Sequence, residues 1–144
     1  MLVELRPEPF EPYHELASYQ ESIAAGQYGA TAVFVGSMRE FNEGDQVQKM
    51  WLEYYPGMTE KYLESIASEA MSKWDLLDVL IIHRTGEVSP SDSIVLVAVW
   101  SGHRAAAFEA SRYLMEELKS RAPFWKKEQL DHKSRWVEHN TPAK

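Results

Sequence analysis

The chain has 144 residues, 44% hydrophobic and 26% charged, with a net charge of −7, the profile of one soluble domain long enough for a real core. The acidic balance argues against a nucleic-acid binder, which shows a basic face. With no cysteine, a disulfide framework, a thiolate metal site and a Cys nucleophile are excluded.

The first residues, MLVELRPEPFEPYHEL, carry acids and prolines where a secretory signal needs a basic start and an apolar run. No run approaches the roughly 20 apolar residues of a membrane span. A cytoplasmic location is therefore expected. Residues 1–12 contain Pro7, Pro9 and Pro12 and are extended at best, with an edge strand over Leu2–Leu5. Tyr13–Ala25 predicts a short helix closed by Gly26. Tyr28–Gly36 (YGATAVFVG) reads as a strand buried on both faces. The polar loop Ser37–Asp45 follows it, a place where a rigid scaffold presents functional groups, with Arg39 just past the strand end.

Val47–Tyr55 alternates as a second strand, expected to pair antiparallel with the first. Tyr55-Pro56-Gly57 is a turn and Thr59 a helix cap. The helix runs to about Trp74, with Tyr62, Leu63, Ile66, Ala67 and Ala70 on its core face. Leu76–His83 and Ser93–Trp100 are further strands joined by the turn-rich RTGEVSPSD. His83, at the end of an apolar run, reads as a core histidine satisfied by a hydrogen bond. After Lys127 the chain reads as a polar tail, anchored by Arg135-Trp136-Val137.

This order predicts an α+β domain with a mainly antiparallel sheet and helices on one face. One domain is expected over 1–144, its core at about 28–138. The Ser37 loop and the Ser101 junction both follow strands and are expected along one rim of the sheet. The five histidines, at 14, 83, 103, 132 and 139, lack the i, i+4 spacing of a helical metal pair. There is no glycine-rich phosphate loop and no G-x-S-x-G elbow.

The stretch from Ser101 to Lys127 reverses the sign of the chain. It holds Arg104, Arg112, Lys119, Arg121, Lys126 and Lys127 against Glu109, Glu116 and Glu117. Fixed cations of this density in a cleft attract an anion. Its middle predicts a helix capped by Ser101 and stopped by Pro123. His103 and Arg104 then sit at the N-terminal end, where free backbone N–H groups also favour an anion. Lys119 lies about 22 Å away at 1.5 Å rise per residue. The two ends serve different parts of an extended substrate, or a symmetric dimer brings one end from each chain together. Aromatic residues among Lys119, Lys126 and Lys127 can hold an ammonium in a partly dry pocket, lowering its pKa and making it a base or nucleophile. The bland alternative is a solvated helix end whose cations offset the dipole.

GATAVFVGSMREFNEGD, LEYYPGMTEKYLESI, IIHRTGEVSPSDSIVLVAVWSGHRAAAFEASRYLMEELKSRAPFWKKE and RWVE, in that order, resemble the catalytic large subunit of molybdopterin synthase over about residues 28–138. The resemblance implies an α/β hammerhead-type fold with an additional antiparallel sheet. It implies an enzyme of molybdenum cofactor biosynthesis, a sulfurtransferase that converts cyclic pyranopterin monophosphate to molybdopterin. Two sulfurs arrive as a thiocarboxylate on the C-terminal glycine of a small ubiquitin-like subunit and form the dithiolene. The large subunits form a homodimer and, with two small subunits, a heterotetramer. No cofactor or metal is implied, and neither nucleic acid nor membrane is a partner.

The implied substrate site is Ser37, Met38 and Arg39, His103 and Arg104, Lys119, and Lys126, Lys127 and Glu128, with Lys119 and Lys126 catalytic. Relatives also carry Lys at position 37, so a charged role there does not transfer. Gly102 stands where Ala or another small residue is expected. Two readings of another class stand beside this one. One is a non-catalytic module that docks a ubiquitin-like tail in a basic groove; the other is a phosphate-ligand binder using His103 and Arg104.

Overall fold

A computed structural model describes residues 1–42, 44–130 and 133–137. Its framework is a four-stranded sheet of β1 (Leu2–Arg6), β6 (Leu76–Arg84), β8 (Ser93–Ser101) and β2 (Ala30–Ser37), in that order. β6 and β8 are near-continuous apolar runs because both of their faces are covered. On one face Val79, Ile81, Val95, Val97 and Val99 pack against two helices, α2 (Met58–Lys73) and α3 (Arg104–Arg121). On the other, Leu80, Ile82, Leu96, Ala98 and Trp100 meet α1 (Pro12–Gln20) through Leu16 and Tyr19. Strand alternation divides the two sets. Helices therefore cover both faces, not one. The short α1 is held there by a bond from Trp100 Nε1 to Gln20 Oε1, 3.0 Å.

A second sheet has the order β10 (Ser134–Trp136), β9 (Phe124–Gln129), β5 (Lys49–Tyr54) and β7 (Gly86–Val88). Two expectations fail here. The Val47–Tyr55 strand does not pair with β2; β5 lies between β7 and β9 instead. The ribbon β3 (Phe41–Asn42) and β4 (Asp45–Gln46) turns the chain between β2 and β5 out of the first sheet. The expected polar tail also contains strands. All six residues of β9 pair with β5, from Tyr54↔Phe124 to Lys49↔Gln129, and β10 pairs with β9. Antiparallel pairing dominates both larger sheets; β1 with β6 is the parallel pair.

β2 is not buried on both faces. It is an edge strand with Thr31, Val33 and Phe34 exposed. It runs antiparallel to β8, with Ala30 opposite Ser101 and Ser37 opposite Ser93. Ser37 and Ser101 thus lie at opposite ends of the sheet rather than on one rim.

The helix starts differ by a residue or two from expectation. His103, not Ser101, is the N-cap of α3, and Ser101 Oγ accepts the His103 N–H at 3.3 Å. Gly57 precedes α2, its N–H donating to Glu60 Oε1 at 3.1 Å. Thr59, expected as the cap, lies inside the first turn and is fully buried. No described helix is long and apolar enough to cross a membrane.

Candidate active site

Three elements converge on one cleft. The end of β2 brings Ser37 and the loop after it Met38 and Arg39; the last turn of α3 brings Lys119; β9 brings Lys126 and Glu128. Met38 is fixed through its backbone: its N–H donates to Asp92 O and its carbonyl accepts from Ser91 N, each 2.9 Å. Arg39 follows directly.

Lys119 and Lys126 share a side-chain hydrogen bond. Burial, the nearby Lys119 charge and that bond push the Lys126 ammonium down to about 7, with Glu128 opposing. Lys119 is also held below its ordinary value, first by burial and then by Arg39, while its bond to Lys126 works the other way. One proton is therefore easily lost from the pair. Once that proton is lost, the cleft holds a base and a cation side by side.

Glu128 is buried, and both of its oxygens are engaged. Arg135 Nε donates to Oε1 at 3.0 Å and Asn42 Nδ2 to Oε2 at 2.8 Å. Arg135 also binds Asp45 Oδ2 at 2.7 Å and Asn42 O at 3.0 Å. Glu128 thus lines the cleft while joining β9 to β10 and the β3–β4 ribbon.

Strand alternation separates the adjacent lysines. Lys126 shares the inward face of β9 with Phe124 and Glu128, whereas Lys127 points outward, 5.8 Å from the Trp136 ring. Lys127 is not in the cleft. His103 and Arg104 are exposed at the far end of α3, which is 18 residues long, and do not join the lysines within one chain. Six of the nine expected residues are together: Ser37, Met38, Arg39, Lys119, Lys126 and Glu128.

The cleft also contains Phe41 and Asn42 from the ribbon, Ile94 from β8 and Val137 from the C-terminal segment. The Arg135–Val137 anchor carried the signal for Val137, whose N–H donates to Lys126 O at 2.8 Å. Phe41 and Asn42 lie in the loop singled out after β2. Nothing in an apolar residue such as Ile94, within a core strand, marks it as a site residue.

A second groove runs along the β2 edge and α3. Val33, Phe34, Phe108 and Met115 line it, and it reaches Lys119, which borders both depressions. Phe108 is 70% exposed.

A family model described as MoaE protein matches residues 8–121. The chain belongs to the MoaE family. It is 56% identical to the molybdopterin synthase catalytic subunit of Ralstonia nicotianae, over 86% of this chain and 72% of that one. It is 48% identical to the same subunit of Escherichia coli, over 92% and 86%. The crystal structure of molybdopterin synthase from Staphylococcus aureus superposes with a TM-score of 0.85 at 36% identity, covering 95% of this chain and 97% of that one. As a MoaE protein, the chain is an enzyme of molybdenum cofactor biosynthesis.

Proposed function

We propose that this MoaE chain transfers sulfur to cyclic pyranopterin monophosphate, in two rounds, from the C-terminal thiocarboxylate of a small ubiquitin-like subunit. The observation that carries this reading is the half-buried Lys119–Lys126 pair beside Arg39. A surface that only docks a tail needs apolar anchors; it does not need two desolvated amines.

In each transfer a carbon–sulfur bond forms at an oxygen-bearing carbon of the pterin side chain, and the oxygen substituent leaves. The carbon–sulfur bond of the thiocarboxylate breaks, and the glycine departs as a carboxylate whose new oxygen comes from water. Lys126, the neutral amine, accepts the proton of that water. Lys119, as ammonium, stabilises the oxyanion that develops on the attacked carbonyl. Arg39 supplies a planar fork for a phosphate or pterin oxygen. Ser37 and Met38 shape the wall beside it, and Met38 does so without charge.

His103 and Arg104 belong to the same reaction through a second copy of the chain. The exposed groove of Val33, Phe34, Phe108 and Met115 is the kind of apolar surface that a partner covers, and it ends at Lys119. A symmetric dimer on this face exchanges the ends of α3, so that each site takes lysines from one chain and His103 and Arg104 from the other. Lys127, beside Trp136, lies outside the cleft and has no role assigned in this scheme.

The test is a turnover assay with purified chain, cyclic pyranopterin monophosphate and thiocarboxylated small subunit, with the product oxidised to a fluorescent pterin. Product with the native chain and none with Lys119→Ala, at unchanged thermal stability, is expected. Tight binding of the small subunit without product from the native chain would contradict the catalytic reading.

A further inference from the structure

Lys119 and Lys126 lie on different elements, and a turn of only two residues, Ala122 and Pro123, joins those elements. That turn is tied down at one point. The Thr59 hydroxyl donates to Pro123 O at 2.9 Å and accepts the Tyr55 N–H at 2.9 Å. Thr59 has no exposed surface, so no water replaces either bond while it is in place. One hydroxyl thus joins the end of β5, the start of α2 and the α3–β9 turn. The next residue after the turn, Phe124, stacks on His83 with ring centroids 4.0 Å apart at 14°. His83 is itself oriented by a 2.7 Å bond between Nδ1 and Arg84 O.

We propose that Thr59 is a positioning residue for the lysine pair: its hydroxyl fixes the α3–β9 turn and so holds Lys119 and Lys126 within hydrogen-bonding reach. This rests on the assignment of those lysines to the site. Their contact has a measurable consequence, because a charge beside Lys126 is one cause of its lowered pKa. Among the described residues, the charged and titratable groups that face Lys126 are Lys119 on α3, Arg39 beyond it, Glu128 on its own strand and the neutral His83 on β6. Opposite it on β5 stands Leu52, which carries no charge. Of these, Lys119 is the one whose distance depends on the turn. A looser turn separates the amines and admits water, and both changes raise the Lys126 pKa.

The experiment follows the titration of Lys126 by NMR in protein labelled with 13C at the lysine ε carbon, the resonance being assigned with Lys126→Arg. Thr59→Val removes both bonds at constant shape. Thr59→Ala removes them but leaves room for a water, so it folds even where the valine variant does not. Thr59→Ser keeps the hydroxyl. The expected result is an upward shift of about one pH unit in the alanine variant, and in the valine variant where it folds, with the serine variant close to native. A native titration in the alanine variant, or a serine variant displaced as far as alanine, would overturn the proposal. The readout needs no turnover, so failure of the catalytic reading would show in the Lys119→Ala assay and leave this result interpretable.

Discussion

The two ends of α3 carry basic side chains in different surroundings. At the N-terminal end His103 and Arg104 are exposed, and water screens them. At the C-terminal end Lys119 turns into a cleft beside Lys126, and desolvation is the main cause of both lowered pKa values. An exposed cation attracts and orients an anion; a desolvated amine near neutrality also moves a proton. On the proposed reading, one helix serves binding at one end and chemistry at the other.

Substitutions at the cleft end should have the largest effect. Lys119→Ala is expected to lower turnover by about 10²–10³-fold, the scale of losing a preorganised donor at a developing oxyanion. Its thermal unfolding should stay near native, because a cation in a cleft is seldom a stabilising one. Unfolding instead of inactivation would make Lys119 a structural residue. Arg104→Ala, at the exposed end, should raise KM by about 10-fold, with kcat far less affected, since a lost charge-assisted hydrogen bond is worth about 1.5–3 kcal/mol. A larger loss in kcat than in binding would erase the distinction between the ends.

The pH profile sharpens the comparison. With Lys126 near 7, kcat/KM should rise as pH increases through about 7, because the neutral amine is the active form. Replacing His103 should leave that limb in place. A limb that followed His103 instead would move the base to the wrong end of the helix.

His83 titrates in a different window and acts on stability. Burial is the first cause that depresses its pKa, from an ordinary 6.5 to about 3. The unfolded chain therefore binds the extra proton throughout that interval, and folding stability falls as pH drops from about 6.5 towards 3. Denaturant unfolding of His83→Gln should show a flatter acid limb than the native chain.

The smallest expected effect is at Gly102, which precedes the exposed end. A Cβ there meets nothing within 4 Å, whereas one on Gly29 would lie 2.4 Å from Gly102 O. Gly102→Ala should be neutral or raise stability by about 0.4–1 kcal/mol in thermal unfolding. Gly29→Ala should lower it.

Much of this contrast was legible in the sequence. The runs at 76–83 and 93–100 are long and apolar enough to mark central strands, and α3 follows from its alanines and its spacing. Sign reversal between Ser101 and Lys127 located the cations. The division between Lys126 and Lys127 was not legible, because FWKKEQ does not resemble a strand until β5 and β10 pair with it. Sheet pairing is non-local, and with it goes the knowledge of which lysine faces inward. The apolar residues of β2 likewise do not say whether their cover comes from the same chain; Phe34 and Val33 read as buried and are exposed. The role of Thr59 was hidden for the same reason, since its hydroxyl bonds Pro123, 64 residues away.

The most direct measurement is subunit complementation. Lys119→Ala chains and His103→Ala/Arg104→Ala chains would be refolded together in equal amounts with the thiocarboxylated small subunit and assayed at substrate well below KM, where each variant alone is of low activity. If each site draws lysines from one chain and His103 and Arg104 from another, every hybrid dimer contains one native site. Half of the dimers are hybrids, so activity should recover to about a quarter of native. Activity no greater than the sum of the two variants alone would contradict a shared site and confine each active site to one chain.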